Sequence, residues 1–239
     1  MSGGAASLAS RLAAVRERIR AAAERSGRAT EAIQIVAVSK TFPAEQVLEG
    51  LEAGLRVFGE NRVQEAAGKI PEVAADPRGR SARWHLVGPL QRNKPRKAAA
   101  LFDRIESVDR RELASALDRA AGSLGKRLDV LLQVNIDEEP QKAGPPPSEA
   151  RELLAVIDAC IHLRPVGLMA IPRPGHEAEE MRPSFARLRT LARELNQERA
   201  EPEQLRELSM GMSADFEVAI EEGSTWIRLG TALFGERVA

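Results

Sequence analysis

The chain has 239 residues, 43% of them hydrophobic, which is enough for a sizeable core in one large α/β domain or two small ones. Its 35 lysines and arginines balance 35 aspartates and glutamates, so net charge gives no argument for a nucleic-acid or membrane partner. A single cysteine excludes an intramolecular disulfide, and with only three histidines beside it the composition argues against a structural zinc site.

The amino-terminal stretch has a helical pattern. Leu8, Leu12, Val15 and Ile19 form one apolar stripe, which predicts an amphipathic helix that belongs to the fold. This stretch lacks the apolar centre of a secretory signal, and no later run of apolar residues is long enough to span a bilayer. We therefore expect a cytoplasmic protein.

Short β-like runs alternate with helical patterns along the rest of the chain. The predicted strands are Gln34–Ser39, Arg56–Gly59, Trp84–Val87, Arg104–Ser107, Asp129–Asn135, Pro165–Met169, Glu207–Met210 and Thr225–Leu229. The predicted helices between them are Ala44–Ala53, Val63–Ala74, Arg92–Ala100, Arg110–Ala120, Ser148–His162, Ala178–Arg199 and Ala214–Glu222.

Eight such alternations predict an α/β fold with a parallel sheet and favour a closed (β/α)8 TIM barrel, a single domain over residues 1–239. A doubly wound open sheet is the alternative. It is the weaker of the two, because no Gly-x-Gly-x-x-Gly motif follows the first strand.

The first predicted strand leads directly into a lysine, Lys40. A lysine at this position has two interpretations. It can be a structural residue whose ammonium reaches solvent from the strand end. Alternatively, an apolar setting favours the neutral amine, which is the form that attacks an aldehyde. Position alone leaves both interpretations open.

Two turns rich in small residues follow the seventh and eighth predicted strands. Ser209–Ser213 and Gly230–Thr231 offer hydroxyls and main-chain N–H groups, and a short helix starting at Thr231 would add a positive helix end. Phosphate sites in TIM barrels often form from the loops after these two strands. The turns therefore suggest a phosphate clamp, although tight strand-to-helix turns use the same residue types for backbone reasons.

Three more polar residues fall where a barrel places ligand contacts. Arg228 should point to the barrel interior, where it needs an acceptor: a ligand ring nitrogen, or the carboxylate of Asp215 or Glu60. His85 lies within a strand, as satisfied core histidines also do. Asn61 follows the second strand and could instead cap the next helix.

Six segments together resemble the pyridoxal phosphate homeostasis protein family. They are Ala37–Thr41 (AVSKT), Phe58–Glu65 (FGENRVQE), Trp84–Gln91 (WHLVGPLQ), Gly167–Pro172 (GLMAIP), Leu208–Phe216 (LSMGMSADF) and Ile227–Gly235 (IRLGTALFG). The match runs in order from near residue 8 to the carboxyl end. The resemblance implies a single barrel like the N-terminal domain of alanine racemase, the fold-type III class of pyridoxal 5'-phosphate (PLP) proteins.

The resemblance also implies a role for each candidate residue. Lys40 matches the lysine that forms an internal aldimine, a Schiff base, with PLP, and Arg228 matches the arginine that faces the pyridine nitrogen. Other cofactor-binding positions are matched by Asn61 and His85 near the cofactor face, and by Ser209, Gly230 and Thr231 at the phosphate, with Met212 and Ser213 as neighbours. One departure is visible: the family's Ser-Lys-x-Gly after strand five reads Gln141-Lys142-Ala143-Gly144 here, which leaves that loop's shape open.

The family resemblance implies a protein that buffers and carries intracellular PLP without turnover of its own, and so without catalytic residues. The alternative is an amino-acid racemase-like enzyme. Racemases of this class take a second base, a tyrosine, from a C-terminal β-domain. This sequence has no tyrosine and ends within a few residues of the eighth strand, so we expect neither. A third interpretation is a Schiff-base aldolase on a phosphosugar barrel, for which a lysine on strand one is unusual.

The expected partners are PLP and the PLP-dependent apo-enzymes that would receive it. The basic run Arg92–Lys97 has no interleaved aromatic residues, so we interpret it as a solvated helix start and expect no nucleic acid. We also expect no metal and no membrane association. Because nothing in the sequence marks an interface, we expect a monomer.

Overall fold

Eight parallel strands close into a barrel in this computed structural model, which describes residues 7–173, 175 and 177–236. The strands are β1 (Gln34–Val38), β2 (Val57–Glu60), β3 (Arg83–Leu86), β4 (Arg104–Val108), β5 (Leu128–Gln133), β6 (Leu163–Met169), β7 (Glu207–Met212) and β8 (Trp226–Leu229). Because β1 pairs with both β2 and β8, the sheet has no free edge. The predicted (β/α)8 barrel is confirmed, and the doubly wound alternative is wrong.

Helices surround the sheet. They are α1 (Leu8–Arg25), α2 (Ala44–Glu52), α3 (Val63–Ala75), α4 (Pro95–Leu101), α5 (Arg111–Ser123), α6 (Ala150–Asp158), α7 (Arg182–Asn196), α8 (Phe216–Glu221) and α9 (Thr231–Phe234). Short 3-10 turns lie at Thr30–Ala32, Pro77–Ser81, Pro147–Glu149 and Ala178–Met181. Among the helices of the described residues, none combines the length and the apolar character needed to cross a membrane.

The predicted amino-terminal helix is present as α1, and the four residues of its predicted apolar stripe are all buried. This helix packs against α8 and α9, which are short. Arg18 makes two hydrogen bonds to the carboxylate of Glu217 on α8, and Arg25 makes one to Glu221. The helix therefore extends the helical layer beside the short helices that follow β7 and β8.

Two helices begin later than the hydrophobic periodicity predicts, and each has a proline in its first turn. The predicted helix Arg92–Ala100 begins at Pro95, and the α-helical part of the predicted helix Ala178–Arg199 begins at Arg182, with Pro183 next. Proline fits the first turn because the N–H it lacks has no partner there. The basic residues before Pro95 stay outside the helix, and Arg92 is exposed.

The segment between β5 and β6 differs most from its prediction. The predicted strand Asp129–Asn135 ends at Gln133, because Asn135 makes a turn: its side chain donates to the Glu139 carbonyl and accepts from the Glu139 N–H. The helix predicted over Ser148–His162 is shorter, running as α6 after a 3-10 turn.

Alternate residues of each strand face the barrel interior. On β1, Val36 and Val38 join Val87 in a small interior cluster, whereas Ala37 belongs to the larger core between the sheet and the helices. On β2 the inward position is Gly59, where an added Cβ would lie 2.8 Å from Cγ1 of Val36. The interior beneath the carboxyl-terminal mouth is therefore tightly filled.

Candidate functional site

Lys40 lies two residues beyond the end of β1, in a turn at the carboxyl-terminal rim of the barrel. It is half-buried rather than surrounded by core, so the expected apolar setting is only partly present. Its ammonium makes no hydrogen bond or ion pair with any residue that the structure describes. Lys40 is in phase with Val36 and Val38, which face the barrel interior, so strand alternation predicts that its side chain faces the mouth.

Arg228 is buried in the barrel interior, as predicted, but its acceptors differ from those expected. Its Nη1 donates to Oγ of Ser209 at 2.7 Å and its Nη2 to the Ala170 carbonyl at 2.9 Å. Neither Asp215 nor Glu60 accepts a hydrogen bond from it. Burial lowers the pKa of Arg228, and the negative charges of Glu106 and Asp215 oppose that shift.

Glu106 connects Arg228 to His85 through a chain of buried side chains. Ser209 Oγ donates to Oε2 of Glu106 at 2.5 Å, and Nδ1 of His85 lies 2.7 Å from Oε1. Burial alone would raise the pKa of Glu106, but the hydrogen bond and charge of His85, the charge of Arg228 and the hydrogen bond of Ser209 outweigh it. The pKa of this carboxyl therefore lies below its ordinary value, and a buried anion stands behind the guanidinium.

This arrangement changes the interpretation of two predicted site residues. His85 is buried and its Nδ1 pairs with Glu106, so it belongs to the network behind Arg228, while its predicted contact with the cofactor stays a prediction. Ser209 was predicted to bind phosphate, and that assignment stays a prediction; its hydroxyl already donates to Glu106 and accepts from Arg228. Glu106 itself was missed, although a carboxylate in the middle of a predicted strand, two residues after Arg104, was a usable signal.

The end of β7 has a fixed backbone. Gly211 has φ of +91°, and a Cβ there would lie 2.5 Å from Cβ of Ala219, so this position requires glycine. The N–H of Met212 donates to Oδ1 of Asp215 at 2.6 Å. Met212 itself is 38% exposed, at the mouth of the barrel.

The turns after β7 and β8 are in contact, as predicted. Oγ of Ser213 accepts from the N–H groups of Gly230 at 3.3 Å and Ala232 at 3.2 Å. The short helix expected after the last strand is present as α9, and its first residue, Thr231, is exposed. Ser213 keeps its own O–H as a donor, so both turns present hydroxyls at the same edge.

Lys40 lies beside this pair of turns. Ala37 on β1 is in register with Leu229 on β8, and an added Cβ on Gly230 would lie 3.7 Å from the Val38 carbonyl oxygen. The amine, the two turns and the interior guanidinium therefore come from three consecutive strands at one mouth. The interpretation of Lys40 as a residue that merely reaches solvent explains none of this juxtaposition.

Asn61 lies on another side of the mouth. The residue that precedes α3 is Arg62, and no side chain caps the helix, so the structure does not support the capping alternative for Asn61. Together with Gly88, Gln133 and Lys142, it lines a cavity of about 300 Å³. The predicted contact of Asn61 with the cofactor stays a prediction.

The loop after β5, whose shape the sequence left open, folds back on the strand end. Gly144 has φ of +103°, and its Cβ would lie 2.5 Å from the Gln133 carbonyl oxygen. Lys142 Nζ donates to the Ile171 carbonyl at 3.0 Å and lies 2.7 Å from a Glu139 oxygen. The two residues that survive from the family pattern, Lys142 and Gly144, therefore both fix this loop.

The family model described as alanine racemase, N-terminal domain, matches residues 10–238. A pyridoxal phosphate homeostasis protein from Pseudomonas aeruginosa is 45% identical over 230 residues, which cover 96% of each chain. The structure of PipY from Synechococcus elongatus, solved with PLP bound, is 44% identical, with a TM-score of 0.83 over 95% of this chain and 100% of that one.

An alanine racemase from Clostridium difficile, in complex with cycloserine, has the same fold at a TM-score of 0.70. It is 14% identical, and the match covers 93% of this chain but 58% of the racemase chain, so this likeness concerns the fold alone. The identities above are high and extend over nearly the whole chain. This chain belongs to the alanine racemase N-terminal domain family and, within that family, to the pyridoxal phosphate homeostasis proteins.

Proposed function

We propose that this protein binds PLP through Lys40 and holds the cofactor in reserve for other proteins without turning over a substrate. The observation that carries the proposal is the amine of Lys40, which has no partner among the described residues and belongs to a turn beside Gly230–Thr231, at the same mouth as Arg228. PLP supplies an aldehyde that condenses with a primary amine and releases water. The relative PipY, solved with PLP bound, supports the same cofactor here.

The residues present fit the ring nitrogen and the phosphate of PLP. Arg228 suits the ring nitrogen, since Ser209 and the Ala170 carbonyl hold its guanidinium in place. The hydroxyls of Ser213 and Thr231 suit the phosphate. Gly230 and Met212 flank these hydroxyls, and their own N–H groups donate to Ser213 and Asp215. In this proposal Asn61 contacts the cofactor from across the mouth, and His85 acts through Glu106 on Arg228.

The carrier role is favoured over racemisation by what the residues can supply. The 239 residues contain no tyrosine, so neither this sequence nor a second copy of it provides the tyrosine base that racemases of this class use. The part of the Clostridium difficile racemase outside the match has no counterpart among these residues. A cation at the ring nitrogen also disfavours its protonation and weakens the electron sink for carbanion chemistry, a feature that racemases share.

The proposal includes three expectations about the setting of this function. The chain works as one barrel domain and as a monomer. It acts in the cytoplasm, where it limits free PLP. It passes the cofactor to PLP-dependent apo-enzymes, and the open mouth around Lys40 favours such exchange.

The decisive experiment compares the protein with its Lys40→Ala variant. PLP should give the wild type an imine absorbance band, and borohydride followed by peptide mapping should place the label on Lys40. The Lys40→Ala variant should lose the label, while Lys97→Ala, which removes an exposed lysine on α4, should behave as the wild type. Wild-type protein that ignores added PLP would refute the proposal, as would full labelling of Lys40→Ala.

The absence of turnover has its own test. Incubation of the loaded protein with L- and D-amino acids, followed by chiral separation, should show each enantiomer unchanged. Steady racemisation would replace the carrier role with the enzyme alternative.

A further inference from the structure

A buried polar cluster lies on the outer side of β1, directly behind Lys40. It consists of Ser39, Glu60, Glu65 and Lys69, and we call it the Lys69 cluster. Ser39 and Glu60 are completely buried, and Lys69 is 7% exposed. None of the contacts assigned above to the cofactor uses Glu65 or Lys69.

Lys69 is the centre of the cluster. Its Nζ donates to the Ser39 carbonyl at 2.7 Å, to Oε1 of Glu60 at 2.6 Å and to Oε1 of Glu65 at 3.0 Å. A lysine ammonium has three N–H donors, and the cluster uses all of them. A side chain on α3 is thereby fixed to the last residue before Lys40.

The cluster holds the chain on both sides of Lys40. On one side, Ser39 donates its N–H to the Gly59 carbonyl at 3.0 Å and its hydroxyl to Glu60 at 2.7 Å. On the other side, the N–H of Thr41 donates to Oε1 of Glu65. Thr41 has φ of +69°, a conformation that β-branched residues rarely adopt, so it needs such an external partner. Between these two fixed residues, the Lys40 side chain has no partner in the part of the chain that the structure describes.

The charges of the cluster depend on Lys69. Two carboxylates share one ammonium, and Oε2 of Glu60 is buried without a hydrogen-bond partner in the described part of the chain. Burial raises the pKa of Glu60, against the opposing effects of Lys69 and Ser39. Without Lys69, Glu60 would be a buried carboxylate whose remaining hydrogen bond comes from Ser39, and Glu65 would lose the ammonium beside Thr41.

We propose that Lys69 is a positioning residue for Lys40: it fixes the Ser39–Thr41 turn so that the Lys40 amine points into the barrel mouth. The inference rests on the proposed function. In the covalent step, Nζ of Lys40 bonds to the aldehyde carbon, and the aldehyde oxygen leaves as water with the two amine hydrogens. Lys69 is unchanged by the step, and its effect is on how often the amine has the reactive orientation.

The test uses Lys69→Met and the double variant Glu60→Gln with Lys69→Met. The double variant removes the unpaired buried charge that Lys69→Met alone would leave, so it decides the question if the single variant fails to fold. Lys126→Met is the control. Lys126 is a half-buried lysine just before β5, and like Lys69 it donates to a main-chain carbonyl, that of Phe102.

Three measurements separate positioning from folding. The first is the rate at which PLP forms the borohydride-reducible adduct on Lys40. The second is the affinity for pyridoxine 5'-phosphate, which has the ring and the phosphate but no aldehyde. The third is amide hydrogen exchange at Thr41 in the PLP-free protein.

Both Lys69 variants should form the adduct about tenfold or more slowly, as expected for a misplaced reacting group. Their affinity for pyridoxine 5'-phosphate should stay at the wild-type value, exchange at Thr41 should be faster, and Lys126→Met should change none of the three. Adduct formation at the wild-type rate in a folded variant overturns the inference. So does an equal loss of rate and of pyridoxine 5'-phosphate affinity, because Lys69 would then support the whole mouth. Wild-type protein unlabelled at Lys40 refutes the proposed function instead, while exchange at Thr41 still decides whether Lys69 holds the turn.

Discussion

The substitution Gly59→Ala should destabilise the protein by about 1–3 kcal/mol, the usual cost of overpacking a core. The new Cβ would lie 2.8 Å from Cγ1 of Val36, and 3.4 Å from Cγ2 of both Val38 and Val87. These methyl groups cannot rotate away easily, since valine is stiff at χ1 and all three side chains are buried. The strand that carries Val38 must move, and it leads directly to Lys40.

The matched control is Gly68→Ala on α3, where an added Cβ has nothing within 4 Å. That substitution should stabilise the protein by about 0.5–1 kcal/mol, because alanine loses less backbone freedom than glycine in a helix. Urea unfolding of both variants with unchanged m-values gives the two free energies. If Gly59→Ala is as stable as the wild type, or if both substitutions destabilise equally, the assignment of Gly59 to a filled interior is wrong.

Two further predictions concern the network and the phosphate turn. Glu106→Gln should lower the free energy of unfolding by about 1.5–3 kcal/mol at neutral pH, because it removes the charge that faces Arg228 and His85. The folded-state pKa of Glu106 is depressed, so the wild type loses this stability as pH falls below the ordinary value of 4.5 and through the lower folded pKa. The gap between the two proteins should therefore narrow in acid, and a gap that stays constant with pH contradicts the assignment. Thr231→Val should weaken pyridoxine 5'-phosphate binding by about 1–2 kcal/mol in a titration. Its stability should not change, since the residue is exposed, and unchanged affinity would remove Thr231 from the site.

The barrel and its mouth could be predicted because they depend on patterns within short stretches of sequence. Each strand is a short apolar run, and the alternation that puts Val36 and Val38 inside also directs Lys40 toward the mouth. Likewise, the turns at Ser213 and Gly230 had to be neighbours once the strand order was known. Strand order and residue phase together therefore located the candidate site.

The features that the sequence did not predict depend on contacts between segments that are distant in the chain. Lys69 follows Glu65 at the spacing of an ordinary surface ion pair, and only the packing of α3 against β1 and β2 shows that it reaches Ser39. Glu106 became interpretable only when its strand, β4, was seen to face β7 and β8 across the barrel interior. The early end of β5 came from the side chain of Asn135, which competes with the strand for backbone groups.

Because β1 pairs with β8, the barrel cannot close around Lys40 until the ribosome has made β8. Lys40 leaves the ribosome before Arg228 and the Gly230–Thr231 turn. Until β8 has been made, the strand that completes the surroundings of Lys40 does not exist. Under the proposed function, capture of PLP would mark only molecules whose barrel has closed, so the adduct would report completed folding in each newly made chain.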